Sequence, residues 1–168
     1  MNYEERVLLE KNKKEQSLKS MYYNRYLLVR YVTAIFFFTN IYWLISLVIS
    51  DSSLYFVPLT LIIILILSVA EQVKIYSSPT NNAIYTKFCF ITLLFTNVLL
   101  LLPTCFSSSF AQLYPFLVNQ NKSKILILVI LITGILLSAF IIYRLNKIKH
   151  DEDKHYQRTK EYEKAINK

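Results

Sequence analysis

The chain has one glycine among its 168 residues. A phosphate-cradling loop needs several, so nucleotide chemistry of that kind is excluded. The same scarcity counts against a transporter built on broken, hinged helices. There are two cysteines, Cys89 and Cys105. On one helix they would stand about 24 Å apart, too far for a disulfide. No paired-cysteine or Cys/His spacing of a metal site is present, and no cofactor is implied. Both histidines, His150 and His155, fall in a charged C-terminal stretch. Asp151 precedes His155 by four residues, which reads as a solvated helical face. The serines at 107–109 have no histidine near them to act as a base. No catalytic set is recognisable.

Charge is also missing where the chain is most apolar. Tyr31 to Ser50 carries none over twenty residues. At about 1.5 Å per residue that run is about 30 Å long as a helix, the thickness of a bilayer's hydrocarbon core. Hydrophobic residues make up 54% of the chain. A soluble domain of this size could not hide so much apolar surface, whereas lipid could. Of the nineteen Lys and Arg, seven lie in residues 1–30 and eight in 144–168. This segregation reads as the cytoplasmic edge of a membrane protein rather than a nucleic-acid surface.

Punctuation in the sequence predicts four spans, at about 31–50, 54–73, 83–102 and 125–143. Asp51-Ser52-Ser53 is a short connector that also supplies N-cap residues. Pro58 sits in the first turns of the second span, where proline is tolerated. Ser77–Asn82 contains Pro79 and two Asn and reads as a turn. Residues 103–123 read as a wet loop with interfacial aromatics, a re-entrant segment being the alternative. The second connector would face the cytoplasm, and no cleavable leader is expected before the first span.

Residues 1–30 predict a helical arm. Asn2 and Glu5 have the spacing of a helix start, and Glu10–Lys14 and Glu15–Lys19 are acid-to-base pairs at i, i+4. Leu18, Met21, Tyr22, Tyr26 and Val29 form an apolar stripe, expected to lie at the membrane face. From Leu145 into residues 146–168, Leu145, Ile148, His155, Thr159, Tyr162 and Ile166 approximate a heptad interrupted by Glu152, and predict a helical extension of the fourth span. Removal of residues 150–168 is expected to leave insertion and folding intact but to weaken association with a partner or a second copy. The fold class is therefore all-α: an integral membrane four-helix bundle, with cytoplasmic helical extensions at both termini.

Two sets of residues invite a functional reading. Spans one and three align at an offset of 57, which pairs Phe38-Thr39-Asn40 with Phe95-Thr96-Asn97. Spans two and four align at an offset of 70, pairing Leu67-Ser68 with Leu137-Ser138 and Lys74 with Arg144. A duplicated hairpin would produce such a pattern. Asn40, Asn97, Thr39, Thr96 and Gly134 then share one depth near the bilayer middle. Amides there should face inward and hydrogen-bond across helices. The second set is Glu71, close to one boundary, expected to form an ion pair with Lys74 or Arg144.

The charged arm, the aromatic first span YYNRYLLVRYVTAIFFFTN and the basic tail resemble small uncharacterised four-pass membrane proteins of low-GC Gram-positive bacteria. Some of these are named as a cellobiose phosphotransferase component. That activity implies a phosphorylatable histidine in a soluble helical domain, and neither histidine here is set in one. The resemblance therefore implies the four-span fold and no site residues. The expected function is that of a non-enzymatic accessory or interaction subunit in the cell membrane. Its partners would be the bilayer and a membrane or cytoplasmic protein, or a second copy, with no nucleic acid. A small transporter or channel subunit, a bacteriocin-immunity type protein and a membrane-embedded enzyme are the rival readings.

Overall fold

Hydropathy and helix length coincide in four places. In the computed structural model, which describes residues 2–166 (Ile166 by its backbone alone), the chain forms seven α-helices. They are α1 (Tyr3–Asn24), α2 (Leu27–Ile49), α3 (Phe56–Ser77), α4 (Ile84–Cys105), α5 (Ser107–Leu113), α6 (Asn121–Lys149) and α7 (Lys154–Ile166). A 3-10 turn, Ser53–Tyr55, leads into α3. No strand occurs among the described residues, and the fold is an all-α bundle. α2, α3, α4 and α6 are long and apolar enough to cross a bilayer, as in a multi-pass membrane protein.

α2 starts before the uncharged run, so Arg30 lies inside it. Its guanidinium stacks on the Tyr23 ring, 3.5 Å from the centroid. α2 stops at a Schellman turn: Asp51 N–H donates to Val48 O and Ser52 N–H to Leu47 O. Asp51 holds φ 49°, the left-handed region that suits glycine. Its side chain is exposed. Asp51→Gly is therefore expected to raise stability by about 1 kcal/mol, the lower end of the left-handed cost for a residue with a Cβ, read as a higher Tm in mild detergent. The α6 terminus repeats the turn with Asp151 at φ 57°. There the carboxylate is engaged, and the same change should destabilise.

α2 pairs with α3, and α4 with α6, as two antiparallel hairpins. The hairpins join along α3 and α4, while α2 and α6 meet over only a short stretch. The offset of 57 reappears in the packing. Thr86, Cys89, Phe90, Leu93 and Thr104, the buried residues of α4, are the counterparts of Val29, Val32, Thr33, Phe36 and Leu47 in α2. At an offset of 70, Leu61, Ser68 and Ile75 of α3 match Leu131, Ser138 and Leu145 of α6, all buried. The two hairpins thus turn equivalent faces inward.

The segment after α4 is not simply a wet loop. Phe110, Leu113 and Tyr114 are buried and pack on Trp43, Leu54, Leu100 and Ile127. The Trp43 indole N–H donates to Leu113 O at 3.3 Å, and the Ser52 hydroxyl to Gln112 O at 3.3 Å. α5 and the turn behind it cover one end of the bundle.

The opposite end carries both arms. The start of α1 is capped as its spacing predicts: Asn2 accepts from Tyr3 N–H, and Glu5 from Asn2 N–H, each at 3.0 Å. The arm's apolar stripe does not lie free. α1 packs on α7 and on the end of α3, with Tyr23 edge-on to Tyr76 at 5.0 Å. The tail is not one extension of α6, because the helix breaks at His150–Asp153. The break dissolves the heptad: Leu145 and Ile148 are buried in α6, Thr159 is buried on α7 and His155 is exposed. The side chain of Ile166, the last heptad position, lies outside the described residues, as do Met1 and residues 167–168.

Candidate functional site

The predicted mid-depth layer lines one cavity. It measures about 400 Å³, between α2, α4 and α6, with Leu61 of α3 behind it. Thr39, Asn40, Thr96, Asn97 and Gly134 all face it. Tyr114 and Phe116, from the turn after α5, close it toward the covered end of the bundle. The cross-helix hydrogen bonds expected of the amides do not form: Asn97 has no partner among the described residues, and Asn40 bonds within its own helix. Asn40 Nδ2 donates to Phe36 O at 2.7 Å, and Thr39 Oγ1 to Ile35 O at 2.9 Å. The cavity separates α2 from α4 and α6 at this level, so the nearest acceptor for Asn40 is a carbonyl one turn back. Asn97 rests on Gly134: a Cβ there would stand 2.9 Å from Asn97 Nδ2. This close approach is what the single glycine permits.

Below the cavity is a polar network that the spacing of the sequence did not single out. Gln72 is buried and donates to Thr33 Oγ1 at 3.1 Å and to Ser68 Oγ at 3.0 Å. Ser68 and Gln72 are one turn apart on α3, so a local signal existed. The cross-helix partner Thr33 gave none.

The ion pair expected of Glu71 is not formed. Its carboxylate accepts from Tyr85 N–H at 3.1 Å, Thr86 N–H at 2.7 Å and the Thr86 hydroxyl at 2.7 Å. Ala83, the N-cap residue of α4, has no side chain that can do this. Glu71 therefore caps α4 from the neighbouring helix. Unsatisfied N–H groups and the positive end of the helix dipole attract it more than an exposed lysine does. Lys74 is exposed, and Arg144 Nε is buried with no partner among the described residues. The other helix-end cation, Lys87, donates to Asn146 Oδ1 at 2.8 Å.

The ion pairs among the described residues belong to Arg25, with Asp151 at 2.8 Å and with Asp153. Arg25 is 1% exposed. It also donates to Asn81 Oδ1 at 2.9 Å and Ile148 O at 3.0 Å, and lies 4.8 Å over the Tyr156 ring. Asn81 Nδ2 in turn donates to Asp151 at 2.7 Å. Asp151 is thus part of a buried network, not of a solvated face with His155. Asp153 is doubly used, because it also caps α7 by accepting from Tyr156 N–H at 3.2 Å. Burial opposes the charge on Arg25. The bonds to Asp153 and Asp151 outweigh it, so its pKa rises above the ordinary value. Burial pushes the adjacent Tyr26 up to about 12, while its hydroxyl donates to Thr80 O at 2.9 Å.

This clasp joins the α1–α2 junction, the turn after α3 and the α6–α7 break. Beside it runs a groove of about 590 Å³, lined by Glu15, Leu18, Lys19, Tyr22, Pro79, Asn81 and Tyr156. Among the described residues, no group of three or more His, Cys, Asp and Glu is placed to hold a metal ion. No protein-family model, no curated protein and no solved structure matches the chain.

Proposed function

We propose that this is a non-enzymatic accessory subunit of the cell membrane, with both termini in the cytoplasm. A protein partner, or a second copy, docks on the platform made by α1, α7 and the turn between α3 and α4. The observation that carries this reading is the Arg25 clasp. It fastens the platform to the bundle, so that binding at the arms is felt by the spans. Tyr3, Val7, Leu8 and Leu9 stay exposed on the part of α1 beyond the clasp. Lys11, Lys13 and Lys14 follow them, with Glu10 and Glu15 interspersed. Mixed charge around apolar residues suits a protein surface better than an anionic bilayer, where each acid would oppose binding. The basic termini favour the cytoplasmic side.

Affinity purification of the full chain in mild detergent tests the proposal. A stoichiometric partner or a stable dimer is expected, and Leu8→Ser with Leu9→Ser should release it without lowering Tm. A chain that purifies alone as a monomer and carries solute flux in liposomes would sink the proposal.

A further inference from the structure

The cavity between α2, α4 and α6 is independent of the docking platform, and its lining specifies a different occupant. We infer that it binds a neutral, lipid-soluble molecule whose flat ring carries a carbonyl oxygen, of which a quinone head group is the chemical type. Four observations lead there.

The lining contains no charged residue. A charged ligand at this depth would lose its hydration with no counter-charge, so the ligand is neutral. Six rings line the space: Phe36, Phe38, Tyr42, Trp43, Tyr114 and Phe116. Such walls favour a flat ring by stacked or edge-on contact.

Hydrogen-bonding capacity is left over. Asn40 Nδ2 spends one N–H on Phe36 O and keeps another. The Asn97 amide has no hydrogen-bond partner among the described residues, and it is held over Gly134 at the cavity wall. Two amide donors at equivalent positions of two hairpins fit carbonyl oxygen.

The entrance is lateral. α3 and α4 are closed against each other, but α2 and α6 scarcely touch. Phe38, Tyr42 and Ile130 line the cavity and are also 67%, 69% and 51% exposed. A ligand dissolved in the bilayer can pass between them without crossing water. A volume of about 400 Å³ lies in the ordinary range for small-molecule sites.

The chain supplies its own reporter. Trp43, its one tryptophan, lines the cavity and stacks on Tyr114 with centroids 5.9 Å apart. The full chain in nanodiscs would be titrated with a 2-methylnaphthoquinone bearing one isoprenoid unit, following Trp43 fluorescence. Saturable quenching is expected. Asn97→Leu should weaken it about three- to ten-fold, the worth of one hydrogen bond. Gly134→Leu should abolish saturation by filling the cavity. Thr96→Phe, at a half-exposed lining position, serves the same purpose if Gly134→Leu does not fold. Three outcomes overturn the inference: linear quenching that is the same in Asn97→Leu, saturation that survives both filling variants, and equal competition by a long-chain alcohol. The last would mean an indifferent apolar space.

Discussion

Arg25→Met is expected to be the most damaging single replacement outside the spans. It leaves Asp153, which is 6% exposed, and the half-buried Asp151 without their cation. Removing one partner of a buried ionic network costs about 3–5 kcal/mol, because the remaining charges stay desolvated and unpaired. The loss should appear as a large fall in Tm, little changed by salt, since buried pairs are weakly screened. Asp153→Asn should cost less, because asparagine can still cap α7 through Tyr156 N–H. Removal of residues 150–168 deletes both carboxylates and should match or exceed Arg25→Met. That reverses the expectation that the fold survives removal of the tail. If Arg25→Met stays within about 1 kcal/mol of the unaltered chain, the clasp is not a structural requirement.

Glu71→Ala is expected to cost about 2–3 kcal/mol, the scale of a lost hydrogen bond to a charged acceptor. Two N–H groups at the start of α4 would lose their cap together with the Thr86 hydroxyl. Glu71→Gln should recover part of the loss, because one carbonyl oxygen can still accept. Lys74→Ala should change little, as Lys74 is exposed. Thermal unfolding of the three variants side by side separates capping from ion pairing. If Lys74→Ala costs as much as Glu71→Ala, the pair governs after all.

The spans were legible because a bilayer-length apolar run is a property of one segment alone. The shared level of Asn40, Asn97 and Gly134 along the bundle was legible for a related reason. Counting residues from a charged boundary fixes height along a helix, and the cavity gathers those residues. Direction around the axis and the choice of partner were not legible. Asn40 turned back to its own helix, since a carbonyl one turn away competes with any distant group. Glu71 was misread because its acceptors are backbone N–H groups, which no side-chain pattern displays. Arg25 looked like any boundary cation, since its partners stand 126 and 128 residues away. The break after Lys149 has neither glycine nor proline to announce it. Asp151 takes the left-handed conformation instead, steadied by Arg25 and Asn81.

The distance between Arg25 and Asp153 also sets an order of events during synthesis. The two hairpins are made of neighbours in the chain, and each can insert as soon as the ribosome has released it. The clasp cannot. Its arginine emerges 128 residues before Asp153. At about 5–20 residues per second the delay is roughly 6 to 26 seconds. Through that interval the guanidinium must remain in water or among lipid phosphates, and the arms stay unfastened. Closure therefore follows synthesis of all four apolar helices. A ribosome that stops before residue 151 releases a chain whose spans are complete but whose arginine never finds its carboxylates. Quality-control proteases that recognise loose segments would then have a way to tell finished copies from unfinished ones.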